Sequence, residues 1–262
     1  MNALAARRRH PAAALVLLLL GLLLMGALYA VFAPQPARAA QPAASTDQVE
    51  AGRQLFLANC ATCHGTAAAG GNAGPSLVGV GAAAVDFQVG TGRMPLAAPG
   101  VQAMRSDVKF SQPDIDRLAA YVASLGPGPA VPEKQDTEGK NANIAKGGEL
   151  FRVNCAMCHN FAGSGGALTR GKYAPSLRDV EGKHIYEAML TGPQSMPVFS
   201  DANLGPDAKN DIIAFLHEID KNENPGGAIM GNLGPVTEGM FAWVAGLGLM
   251  IGAAVWLGSK AA

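Results

Sequence analysis

The chain has 262 residues, 49% of them hydrophobic, enough apolar material for one or two folded domains and too much for a disordered polymer. Its 20 acidic residues balance 20 basic ones, so the charge gives no sign of nucleic acid or another polyanion as partner.

Residues 1–40 read as a membrane anchor or signal segment. Ala12 to Phe32 carries no charge over 21 residues and follows Arg7, Arg8 and Arg9, which places the amino terminus in the cytoplasm. A cleaved signal peptide is the rival, since Ala37-Arg38-Ala39 resembles a cleavage site. The apolar run is longer than a signal core of about 7–15 residues, and both readings export the remainder of the chain.

Residues 44–126 form a first domain. Asp47 with Glu50 makes a helix-capping pattern, and the helix runs to Cys60 with Val49, Leu55 and Phe56 as apolar positions. A second helix opens at Ser111, with Pro113 and Asp114 in its first turn. It sets Ile115, Leu118, Val122 and Leu125 on one face and stops at Gly126-Pro127. Residues 127–143 mix proline, glycine and charge as a linker does.

Residues 144–222 repeat the first domain. GRQLFLANCATC (52–63) answers GGELFRVNCAMC (147–158), GPSL (74–77) answers APSL (174–177), and TGRMP (91–95) answers TGPQSMP (191–197). Pro206 and Asp207 start a closing helix with Ile212, Phe215, Leu216 and Ile219 at helical spacing. Strand-like alternation is hardly visible, so the fold reads as all-α. A Gly-rich lead over 223–238 then enters a transmembrane helix over 239–258. Its 18 uncharged residues, Met240 to Leu257, carry Trp243 and Trp256 near the ends, with Glu238 before and Lys260 after, as in an out-to-in crossing. Gly248 and Gly252 leave it a small-residue face on which another helix can pack.

The repeat is built around two C-x-x-C-H clusters that use all four cysteines. This is the attachment pattern of c-type haem, in which two thiols bond to the porphyrin and the adjacent histidine ligates iron. Cys60, Cys63 and His64 are assigned to one haem, and Cys155, Cys158 and His159 to a second. A thioredoxin-like reading lacks its βαβ context, a zinc site leaves both histidines unexplained, and the spacing is a poor disulfide framework. Each domain has only about 80 residues, so its own core is marginal and a large buried cofactor would complete it. A methionine opposite the histidine closes the iron site and raises its potential. Met94 and Met196, each before proline in the repeated segment, are the candidates; Met104 is the rival to Met94, and Met157 and Met189 read as packing. His184 and His217 have no counterpart in the first copy and read as surface or packing residues.

NCAMCHNFAGSGGALTRGKYAP (154–175), GPSLVGVGAAAVDFQVGTGRMP (74–95) and the lead GNLGPVTEGMFAW (231–243) together resemble the dihaem cytochrome c subunit of the actinobacterial menaquinol–cytochrome c reductase, a cytochrome bc complex. The resemblance implies two tandem class I cytochrome c domains carrying two covalently bound haem c groups. Their iron ligands would be His64 with Met94 and His159 with Met196. The carbonyls of Pro75 and Pro175 resemble the acceptors that orient the ligating histidines in class I cytochromes. The 15 residues after Met94 (LAAPGVQAMRSDVKF) have no match in the second copy. In that family the subunit works beside a Rieske iron–sulfur subunit and a cytochrome b subunit and relays electrons to a terminal cytochrome c oxidase. The implied location is the cell membrane, spanned twice, with both haem domains outside. A haem–copper oxidase subunit is the nearest rival. A dihaem enzyme would need an open iron site or a spare cysteine, so no substrate-turnover site is expected.

Overall fold

The computed structural model describes residues 11–32, 44–221, 230 and 235–260. Arg7 to Arg9, Ala37 to Ala39 and nearly all of the lead at 223–234 lie outside the described residues. The chain divides into two compact units, Met1–Ala37 and Arg38–Ala262. The first holds α1, Pro11–Phe32, long and apolar enough to cross a membrane.

In the second unit, α2 (Thr46–Asn59) is capped by Ser45, whose hydroxyl accepts from the Gln48 N–H at 3.2 Å. This corrects the expected Asp47–Glu50 cap: Glu50 instead pairs with Arg53 at 2.8 Å along the exposed face. The turn α3 (Ala61–His64) comes next, at Cys60. Beyond it lie α4 (Ala82–Gly90), which periodicity did not pick out, and α5 (Gln112–Ser124), which ends ahead of Gly126 with Leu125 as its C-cap. Ser111 opens α5, its hydroxyl donating to Asp114 at 2.7 Å.

The second half repeats the plan: α6 (Ile144–Asn154), capped by Asn143, the turn α7 (Ala156–His159), α8 (Gly182–Thr191) and α9 (Pro206–Lys221). The all-α expectation holds with one addition, a two-stranded antiparallel sheet in which β1 (Gly166–Ala167) pairs with β2 (Tyr173–Ala174). Helix α10 (Pro235–Lys260) is the second segment able to span a membrane, and its described large apolar side chains are exposed.

Each half closes where its first and last helices cross at a glycine. A Cβ at Gly52 would stand 1.9 Å from the Arg117 carbonyl oxygen, and one at Gly147 1.9 Å from that of Asp211. The helices can therefore touch backbone to backbone. One turn on, Phe56 meets Tyr121 with ring centroids 5.2 Å apart, and Phe151 meets Phe215 at 5.5 Å. Around these pairs lie two separate small cores, one on Ile115, Leu118 and Val122, the other on Ile212, Ile213 and Leu216.

The proline-rich stretch after α5 is packed. The Pro129 carbonyl accepts from Ala83 at 3.1 Å, Val131 joins the first core, and the Gly139 N–H donates to Asn210 at 2.9 Å on α9. The halves also touch through α4 and α8. Lys183 reaches Asp86 at 2.7 Å, and Phe87 meets His184 edge-on at 6.3 Å. The loop after Met94 adds a third contact, because the Gln102 amide both donates to and accepts from the Tyr173 backbone, at 2.8 and 2.9 Å.

Candidate functional site

Both cysteine clusters fold as the same device. The long helix ends at Asn59 or Asn154, the next cysteine caps it, and one further turn carries the second cysteine and the histidine. All four thiols are free, with Cys63 and Cys158 exposed and Cys155 buried. Burial, and then the neighbouring Cys158, pushes the Cys155 thiol up to about 12; burial and Cys63 likewise raise Cys60. These are protonated sulfurs, unlike the low-pKa thiolates of a redox C-x-x-C pair.

Each histidine is nearly buried and held by one hydrogen bond. His64 Nδ1 donates to the Pro75 carbonyl at 2.8 Å, and His159 Nδ1 to that of Pro175 at 2.9 Å. A carbonyl can only accept, so Nδ1 carries the proton and the Nε2 lone pair is left for another partner. Burial, partly opposed by the Pro175 bond, pushes the His159 pKa down and keeps that ring neutral. Glycines bring the accepting loops close. At Gly70 and Gly165, with φ of +83° in both, a Cβ would lie 2.5 Å from the loop backbone beside the proline. This pair, 95 positions apart like the cysteines, is legible in the repeat, though no motif singles it out.

Met94 is partly buried against the first core and Met196 against the second. Met104 is 57% exposed, and its sulfur accepts from the Tyr173 hydroxyl at 3.1 Å. Met189 packs in the second core as expected; Met157, expected to pack, is 92% exposed because it sits on the outside of the cysteine turn. His184 lies at the contact between the halves, and His217 packs near the Val180 carbonyl.

In the second half Cys155, Cys158, His159, Pro175 and Met196 line one cleft. Its empty volume, open solvent at the mouth included, is about 1440 Å³, and apolar side chains such as Phe151, Leu177 and Ile212 supply most of its wall. Covalent sulfur donors, one available imidazole nitrogen, a methionine and a large apolar cleft together suit a flat metalloporphyrin.

The family model described as "Cytochrome C oxidase, cbb3-type, subunit III" matches residues 47–122 and 142–216, once in each half. The chain is 46% identical over 251 residues to the "Cytochrome bc1 complex cytochrome c subunit" of Mycobacterium tuberculosis (strain ATCC 25618 / H37Rv), covering 94% of this chain and 90% of that protein. The chain belongs to the family of cytochrome bc1 complex cytochrome c subunits. A member from Corynebacterium diphtheriae is 41% identical over 267 residues, covering 96% of this chain and 95% of that protein. The "Cbb3-type cytochrome c oxidase subunit FixP" of Rhizobium meliloti is 28% identical over 200 residues, 70% of this chain and 65% of that one. Cytochrome c domains carry covalently bound haem c, and the two apolar helices fit a membrane-anchored subunit.

A second polar group lies between the halves and was not found from the sequence. Asp86 and Glu187 are buried face to face. Burial, and then the Asp86 carboxylate, pushes Glu187 up to about 10. Against its own burial, Asp86 is held below the usual range by hydrogen bonds from Glu187, Lys183 and Gln112. The two shifts run in opposite directions, so Glu187 is the carboxyl that holds a proton and Asp86 the one that faces the Lys183 ammonium. Asp86, His184 and Glu187 bring potential ligand atoms within 4.8 Å of one another, but the Lys183 ammonium already stands against Asp86 where a cation would sit.

Proposed function

We propose that this chain is the dihaem electron carrier of a quinol–cytochrome c reductase, taking electrons from the Rieske iron–sulfur subunit and delivering them to a terminal cytochrome c oxidase. Cys60 and Cys63 hold one haem c by thioether bonds, and Cys155 and Cys158 hold the second. His64 and Met94 ligate the first iron, His159 and Met196 the second. The single observation that carries this reading is the twice-built turn in which a C-x-x-C-H histidine is pinned through Nδ1 to a proline carbonyl, at 2.8 and 2.9 Å.

Haem c, when bound, supplies a one-electron couple. The residues do the rest. Pro75 and Pro175 fix the imidazole tautomer that leaves Nε2 for iron, which also makes that nitrogen a better donor. Met94 is favoured over Met104 because it stands against its own core, whereas Met104 is engaged by Tyr173 of the other half. A methionine on each iron closes it to substrates, so the chain serves as the electron-transfer subunit of a proton-translocating enzyme and turns over no substrate itself. Its partners are the Rieske and cytochrome b subunits of the same complex, the oxidase, and membrane lipid. Two spans anchor it in the cell membrane with both haem domains on the extracytoplasmic side, so a tethered two-stop relay replaces a diffusing carrier.

The test is to solubilise membranes in mild detergent, capture the tagged full-length chain and record its reduced-minus-oxidised spectrum. Haem b and haem a bands beside haem c are expected. Haem c alone, with other complexes intact, would leave a free-standing carrier; haem a without haem b would favour the oxidase-associated alternative.

A further inference from the structure

Two arginines of the first half stand at the cleft of the second. Arg93 and Arg105, with Gln102, line it together with Cys158, His159 and Met196. The Arg93 guanidinium is half-buried, 4.7 Å from the Phe87 ring centroid, and neither arginine has an acidic partner among the described residues. Two guanidiniums brought together without a carboxylate make a site short of an anion. Lys183, on the same interface, has Asp86 to answer it.

The anion must match an otherwise apolar cleft. Haem c does: it would be fastened at Cys155 and Cys158, its faces are apolar, and its carboxylates are not tied by the thioether bonds. A guanidinium fork accepts a carboxylate through two parallel N–H bonds. This step rests on reading Cys155, Cys158 and His159 as a haem site. We propose that Arg93 and Arg105, carried by the first half, bind the carboxylates of the haem held in the second half.

The assignment gives a role to the 15-residue stretch after Met94, which has no match in the second copy. It carries Gln102 and Arg105 across, and Gln102 docks on the Tyr173 backbone at 2.8 and 2.9 Å. Arg93 directly precedes Met94. The anchor for one haem and the proposed iron ligand of the other are therefore successive residues.

The experiment is a redox titration of full-length, haem-loaded protein in detergent. Met196→Ala marks the second haem, because losing a methionine ligand lowers its potential. Removing a cation disfavours the reduced, more negative state. Arg93→Gln and Arg105→Gln are each expected to lower the second haem's reduction equilibrium about tenfold, or 59 mV for one electron. The first haem should move less, and Arg93→Lys should restore most of the loss. Arg105 is exposed, so its variant keeps the fold and the test stands even if Arg93→Gln does not fold. No shift, or a shift confined to the first haem, overturns the assignment. A haem count separates two kinds of failure. Fewer than two haems per chain removes the underlying reading and this inference with it; two haems with an unmoved second potential removes the arginine assignment alone.

Discussion

Among single residues, the sulfurs and carboxyls make separable predictions. Met196→Ala should abolish most quinol-driven oxygen consumption, at least tenfold, while the haem stays attached through its thioethers, and carbon monoxide should now bind the reduced protein. Met104→Ala should do neither, since Met104 is exposed and bonded to Tyr173. Respiration assays and difference spectra on verified variants decide both. Glu187 predicts a pH effect. Its folded pKa, raised from 4.5 to about 10, means the folded chain keeps a proton that the unfolded chain releases, so its contribution to stability falls as pH rises across that window. Asp86, shifted down from 3.8, contributes in the opposite sense and loses its contribution only as pH falls below that value. Glu187→Gln keeps a donor toward Asp86 and cannot ionise. It should flatten the decline between pH 5 and 8 and raise Tm at pH 8 by about 2–4 °C, the shift expected for about 1 kcal/mol. A Tm that falls equally at every pH would sink this account.

Among the helices, one crossing closes each half. Gly147→Ala puts a methyl 1.9 Å from the Asp211 carbonyl, and Gly52→Ala does the same against Arg117. Backbone cannot yield as a side-chain tip can, so the helices must separate and the Phe151–Phe215 or Phe56–Tyr121 contact opens. We expect a loss of about 3 kcal/mol or more at either site, far beyond the usual surface substitution, read from chemical denaturation. These glycines are visible as matched positions in the repeat. Their role is not, because a helix-interior glycine reads as a weak helix position until its neighbour is known. Helix α4 escapes for the converse reason. Ala82, Ala83, Val85, Phe87 and Val89 are all buried, since α4 packs on its own core on one side and on the other half on the next. A helix apolar all round shows no stripe.

For the molecule as a whole, two small cores and a large cleft imply that the cofactor is part of the fold. Each core rests on about ten buried side chains, few for domains of this size. Cys155→Ser with Cys158→Ser should lower helix content in the second half. It should also lower the melting temperature of the first, because α4 and α8 share the Asp86–Lys183 contact. Circular dichroism on the full chain, together with the remaining haem band, reads both; an unchanged melt would mean the halves fold without haem and independently.

The chemistry and its duplication were legible in the order of residues alone, because covalent haem attachment needs Cys60, Cys63 and His64, and their partners at 155, 158 and 159, at fixed local spacing. The terminal helices of each half and the two apolar spans were legible for the same reason: periodicity and charge exclusion are local properties of a chain. The first helix cap differs from the sequence expectation: Ser45, in extended backbone, caps the helix, and Asp47 lies in its first turn. The arrangement between the halves came from tertiary packing. Asp86 with Glu187, Gln102 with Tyr173, and Arg93 and Arg105 at the second cleft join positions about 70 to 100 residues apart. Pairings between the two copies leave no trace in a repeat. They arise from how two folded surfaces meet, and that depends on burial and charge in three dimensions.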